Sequence, residues 1–216
     1  MNTRLLDNMK YISYLKLSGN LGMPIIKKEE IELKQETVSF NNRTQKDCVA
    51  LHFFIDDYQF ERIWNNPERY IEMFKKYEYI CSPDYSLFLD HPKAFQIFNT
   101  FKKQYLGAYY QLHGIKVVPT VSWSDPSSYE WCFDGIEQGS CVACSSVGCL
   151  RDKEAKQLFI DGFIVMIHVI HPSKILMVGN LPEELKAYKD KCVFVKTFQE
   201  EIRDIILQQA ELENKY

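Results

Sequence analysis

The chain has 216 residues, of which 46% are hydrophobic and 14% aromatic, enough for one continuous core that buries about 70% of the surface the unfolded chain exposes. This composition excludes a disordered chain. A formal net charge of −3 and a pI near 6.0 give no overall attraction to a phosphate backbone, so nucleic-acid binding would need a local basic patch.

Residues 1–48 read as an irregular lead-in packed on the core, with a helix near Arg4–Leu17, a turn at Gly19–Pro24 and a mixed-charge stretch over Lys27–Glu36. Charges interrupt the first twenty residues too often for an apolar signal region, and the longest apolar run, Gly162–Ile170, is too short to span a bilayer. Seven cysteines, an odd number, argue against a fully paired disulfide framework. Together these features predict a cytoplasmic protein with reduced thiols and no membrane partner.

A β-α alternation occupies residues 49–216 and makes the whole chain read as a single domain. Strand one is Val49–Ile55, followed by helices near Tyr58–Asn65 and Glu68–Tyr77, and strand two is Tyr79–Cys81. A long helix over Pro92–Leu112 carries Phe95, Phe98, Phe101, Leu106, Tyr109 and Leu112 on a stripe expected to face the core, with Asp90 as its cap and Gly114 as its stop. Strand three is Ile115–Trp123, and a short helix opens after Ser124 or Asp125 with Pro126 in its first turn. Strand four (Ser140–Val147), a helix over Lys153–Ile170 capped by Asp152, strands five (Lys174–Val178) and six (Cys192–Val195) around a short helix opened by Pro182, and a final amphipathic helix over Gln199–Asn214 complete the order.

This spacing calls for a mostly parallel α/β sheet of about six strands. It would form an incomplete or distorted (β/α) barrel, with an open three-layer α/β sandwich as the alternative. No GxGxxG follows strand one and no GxxxxGK[ST] occurs, which removes the main support for a dinucleotide-binding or P-loop fold. Polar residues end several different strands rather than one switch point, which favours the barrel-like form.

Carboxyl ends of parallel strands are where ligands sit, so the residues there are the candidates for chemistry. They are Asp56 and Asp57 after strand one, Ser82 and Asp84 after strand two, Ser122, Trp123, Ser124 and Asp125 after strand three, Ser145 and Ser146 after strand four, and Gly179 and Asn180 after strand five. Converging carboxylates would divide general acid and base roles or hold a hard cation such as Mg²⁺. Arg62 is a candidate anion clamp and Trp123 a stacking wall. Taken singly, Asp84 and Asp125 are better explained by turn and capping duty than by a site role, and only convergence of the carboxylates would favour the site.

Cys141-x2-Cys144, with Cys149 and Cys132 nearby, resembles a metal-ligand set, but on a strand positions 141 and 144 face opposite ways. Of the histidines, His52 alternates within strand one as a core residue would, and only His91 stands where it could join the rim. The absence of GxSxG leaves a catalytic triad without support. Lys102 and Lys103, interleaved with Phe98, Phe101, Tyr105, Tyr109 and Tyr110, match what single-stranded nucleic-acid binders use, although core packing explains the aromatics better.

The phrases FIDDYQFERIWNNPERYIEMFKKYEYICSPDYSLF, QIFNTFKKQYLGAYYQLHGIKVVPTVSWSDPSSYEWCFDGI and SSVG, with GMPIIK in the lead-in, resemble the domain-of-unknown-function family DUF4417 over nearly the whole chain. The resemblance implies an origin in phages, plasmids or other mobile elements of Gram-positive bacteria, and implies no activity. Cys141, Cys144 and Cys149 stand outside the family's pattern. Two readings follow: a cation-assisted or acid/base enzyme acting on a polar or nucleotide-like substrate at the rim, or a non-catalytic accessory protein that binds a host protein or nucleic acid.

Overall fold

A computed structural model describes residues 8–42 and 49–213, so Cys48 and the start of the expected Arg4–Leu17 helix lie outside the described residues. Within the described part of that segment there is one short 3-10 turn, Ile12–Tyr14, and then a strand. The elements are β1 (Leu17–Ser18), β2 (Met23–Pro24), β3 (Thr37–Ser39), β4 (Ala50–His52), α1 (Glu61–Asn65), α2 (Ile71–Phe74), β5 (Tyr79–Cys81), α3 (Lys93–Leu112), β6 (Val117–Val118), β7 (Val142–Ser145), α4 (Lys153–Ile170), β8 (Ile175–Val178), β9 (Cys192–Val195) and α5 (Phe198–Glu213).

β1 and β2 form an antiparallel hairpin, and every later strand pairs in parallel with its neighbour in the chain. The two parallel runs, β3-β4-β5-β6 and β7-β8-β9, meet where Val121 N donates to Ala143 O at 2.8 Å and Ala143 N donates to Pro119 O at 2.9 Å. Spatial order therefore follows chain order from β3 to β9. The lead-in contributes β3, a strand that its mixed-charge composition concealed. The sheet is open: among the described residues no strand pairing joins β9 to β3, so the barrel does not close.

Alternation along the strands separates two packing faces. On one face Ala50, Tyr79, Cys81, Val118, Ala143, Leu176, Val178 and Val195 pack together with Leu33 of the lead-in. On the other, Leu51, Ile80 and Val117 pack with the α1–α3 region, while Val142, Cys144, Ile175 and Met177 pack with α4. Cys141 and Cys144 fall on opposite faces, as strand geometry requires.

α4 starts where Asp152 accepts from Glu154 N and Ala155 N at 2.9 and 3.0 Å. α3 begins differently from the expectation: Pro92 rather than Asp90 holds the cap position and supplies no side-chain bond. Its apolar stripe meets the expectation in part: Leu106 and Tyr109 are buried in the core and Phe101 packs against it. Phe95, Phe98 and Leu112 are 45, 44 and 46% exposed, whereas Gln96, Asn99, Thr100, Lys102, Lys103 and Gln104 are buried. Helical spacing lays Gln96, Thr100, Lys103 and Gly107 on one face, and at Gly107 an added Cβ would strike Ile26 and approach Ser82.

Glu201 of α5 reaches the end of β3. It accepts from Ser39 N (3.1 Å), Ser39 Oγ (2.8 Å) and Asn42 Nδ2 (2.9 Å), and lies 3.2 Å from His52 Nε2. Phe54 N donates to His52 Nδ1, so Nε2 carries the proton and donates to the carboxylate. Burial pushes the Glu201 pKa up, but the hydrogen bonds from His52, Asn42 and Ser39 outweigh it and leave the carboxyl below its ordinary value. A depressed carboxyl contributes stability above its unfolded pKa and loses it as pH falls through the folded one. Glu201→Ala should cost about 3 kcal/mol at pH 7 and flatten the acid arm of a stability-against-pH curve below about 4.5, both read by urea denaturation.

A second close approach is at Gly162 of α4, where an added Cβ would strike the Trp123 indole. Gly162→Ala should lower stability by about 1–3 kcal/mol through overpacking, measurable by thermal unfolding.

Candidate functional site at the carboxyl rim of the sheet

The polar face of α3 lies against the loops that leave the strands. Gln96 Nε2 donates to Phe88 O and His91 O, Asn99 Nδ2 to Ser86 O and Gln104 Nε2 to Asp134 O, all within 3.1 Å. Ser124 Oγ donates to Gln96 Oε1 at 2.6 Å. These bonds satisfy carbonyls of the loops packed on the helix, which is why polar residues face inward here.

Lys103 is the buried centre of this face, 2% exposed. Its ammonium donates to Ser122 Oγ and stands 3.7 Å from Asp84 Oδ1, an ion-pair separation that leaves this enclosed oxygen without a hydrogen-bond partner. Burial pushes the Asp84 carboxyl up to about 6; the Lys103 charge holds it down, the Asp57 charge drives it further up, and Ser122 lowers it. Burial likewise lowers the Lys103 pKa, against the pull of Asp84. Beside this pair Lys102 bonds Glu61 at 3.2 Å and sits 3.8 Å over the Tyr85 ring. Neither lysine is offered to a nucleic acid.

The other rim residues have identifiable partners. Asp57 accepts from Ser86 N (3.0 Å) and Ser86 Oγ (2.8 Å), and Asp56 accepts from Gln59 Nε2 at 3.1 Å. Asp125 caps the 3-10 turn Pro126–Glu130 by accepting from Ser127 N at 2.8 Å. Ser82 Oγ accepts from Thr120 N at 2.9 Å and ties the ends of β5 and β6 together. Trp123 packs on Phe159 of α4 and donates its indole N–H to Leu158 O at 3.0 Å. Ser145 Oγ accepts from Val147 N, and Ser146 Oγ donates to Asn180 O at 2.7 Å. His91 stands edge-on between Phe88 and Phe95. Arg62 lines a concavity with Arg69, Tyr70 and Met73, none of which belongs to the Asp84 cluster.

Thus Asp84, Ser122 and Asp57 are brought together, Asp125 and Trp123 are committed to local structure, and Lys103 is a member that sequence reasoning set aside. The signal for it was present: Gln96, Thr100 and Lys103 recur at helical spacing, a second stripe beside the aromatic one. Among the described residues, no three His, Cys, Asp or Glu side chains gather closely enough to hold a metal ion. Burial raises the thiols of Cys81, Cys132 and Cys149, Cys132 to about 12, so none of these is a thiolate near neutral pH.

The profile of the family described as "Domain of unknown function (DUF4417)" matches residues 15–199, a span that includes every rim residue above. The chain belongs to the DUF4417 family. Relatives of this DUF4417 chain include the "Gene 1 protein" of Mycobacterium phage L5, 42% identical over 136 residues, which is 63% of this chain and 59% of that protein. The "Gene 1 protein" of Mycobacterium phage D29 is 38% identical over 152 residues, 66% of this chain and 56% of that protein. The chain thus spans less than two thirds of the length of either phage relative. No solved structure matches it. No helix among the described residues is long and apolar enough to cross a membrane.

A raised carboxyl in this DUF4417 chain has a definite stability consequence. The folded state holds the Asp84 proton more tightly than the unfolded chain does, so the contribution of this group is largest below pH 3.8 and is lost as pH rises through about 6. Asp84→Asn and Lys103→Met each leave the other member of the pair without its counter-charge and should each be less stable than wild type at pH 7 by about 3 kcal/mol, and the Lys103→Met loss should shrink at pH 4, where the Asp84 carboxyl takes up its proton. Urea denaturation at pH 4 and pH 7 checks both losses.

Proposed function

We propose that the DUF4417 chain is an acid/base enzyme whose Asp84 rim binds a small polar substrate and transfers a proton to or from it. The observation that carries this reading is the pair of buried Lys103 with the partly exposed Asp84, whose carboxyl is poised near pH 6 and whose charged form costs stability at neutral pH. Groups kept at such a cost, with a pKa near the working pH, are characteristic of acid/base sites. In this scheme Asp84 exchanges the proton and Lys103 stabilises negative charge developing on the substrate. Ser122, already held by Lys103, orients a substrate polar group, and Asp57 raises the basicity of Asp84.

A second reading, an accessory protein that binds a host partner, draws on the exposed Phe88, Leu89, Phe95 and Phe98 beside His91. Carbon-13 NMR of the Asp84 carboxyl separates the two. A midpoint near 6, together with a rise in unfolding temperature given by a polar ligand in a screen of nucleosides, sugars and carboxylic acids, is the expected result, with Ser122→Ala and Lys103→Met abolishing that rise. An Asp84 midpoint near 4, with no ligand moving the unfolding temperature, would sink the enzymatic reading.

A further inference from the structure

We propose that Arg62 and Arg69 form a phosphate-binding site for a nucleoside monophosphate, apart from the Asp84 rim. A cavity of about 430 Å³ is lined by Arg62, Arg69, Tyr70 and Met73, a volume within the range of small-molecule sites. Arg62 of α1 and Arg69 of the 3-10 turn Pro67–Tyr70, on either side of Asn66, line one concavity.

Neither arginine has an ion-pair partner among the described residues, and the local carboxylates explain why. Glu61 pairs with Lys102, Glu68 with Lys10 and Glu72 with Lys75. Lysines thus take up the acidic groups of the segment and leave two guanidinium forks facing the cavity. Arg62 is held with its Cζ 4.9 Å from the Phe40 ring centroid. Phe40 stacks on Phe53, and Tyr70 stacks on Phe74, so the wall behind the arginines is anchored in the core. Two planar five-donor groups match the several oxygens of a phosphate, which a lysine pair would engage only as point charges. Tyr70 and Met73 supply a partly apolar wall of a kind suited to a nucleobase.

Titration calorimetry of the full chain with adenosine 5′-monophosphate, adenosine, inorganic phosphate and a short single-stranded oligonucleotide tests the site. The monophosphate should bind, adenosine should bind at least tenfold more weakly, and Arg62→Ala and Arg69→Ala should each weaken the monophosphate at least tenfold. Arg62→Lys and Arg69→Lys should fail to restore it. Both arginines are exposed, so unchanged unfolding temperatures will show that the variants fold, and Lys75→Ala should bind as wild type does. The proposal is overturned by equal binding of adenosine and its monophosphate, by no binding of either, by binding that the arginine variants leave intact, or by arginine-dependent binding of the oligonucleotide alone. Asp84→Asn should leave this binding unchanged, so the fates of the two sites are read separately.

Discussion

The inward-facing polar stripe of α3 is the constraint on which the rest of the arrangement depends. A helix that packs by apolar contact alone tolerates sliding, whereas one whose Gln96, Asn99 and Gln104 side chains each satisfy a particular loop carbonyl has one register. The loops after β5 and β6 are held by the same helix that carries Lys103, so the separation of Asp84 from its counter-charge is set by backbone bonds on both sides. Gly107 completes this arrangement by letting the helix approach Ile26 and Ser82 without a side chain between them.

Electrostatics at the rim work against stability rather than for it. Burial disfavours the charges of both Asp84 and Lys103, and their attraction offsets only part of that cost, as is usual for ion pairs removed from water. Glu201 is the contrasting case. It is the more buried of the two carboxylates, but Ser39, Asn42 and the Nε2–H of His52 surround it with donors, and its charged form is favoured. The two carboxylates thus move in opposite directions because Glu201 has its oxygens satisfied and the Asp84 Oδ1 does not.

The elements legible in the sequence were those with a strong local signature. β5, α4 and β9 lie where apolar runs and caps put them, with Asp152 bonding the first amides of α4 as its position predicts. β3 was not legible, because Thr37–Ser39 is too short and too polar to stand out and gains its strand character from pairing with β4. The orientation of α3 was not legible for a different reason. It carries two stripes, and choosing the aromatic one followed the ordinary rule that apolar residues face inward; loop carbonyls needing donors reversed that rule over the N-terminal half. At the rim, the gathering of Asp57, Asp84 and Ser122 could be anticipated from strand ends, while Lys103 could not be placed without knowing which way α3 turns.

Strand order that follows chain order has a consequence for assembly. Each strand from β4 onward finds its neighbour already made, so the sheet can grow one βα step at a time with modest loop-closure entropy. The bond between Glu201 and Ser39 is the exception, spanning 162 positions. Until α5 emerges and docks, the outer edge of β3 and the donors of Ser39, Asn42 and His52 have no carboxylate to receive them. During synthesis a nearly finished sheet therefore waits on one late helix, and the interval before that docking is when the open edge is most exposed to pairing with another chain.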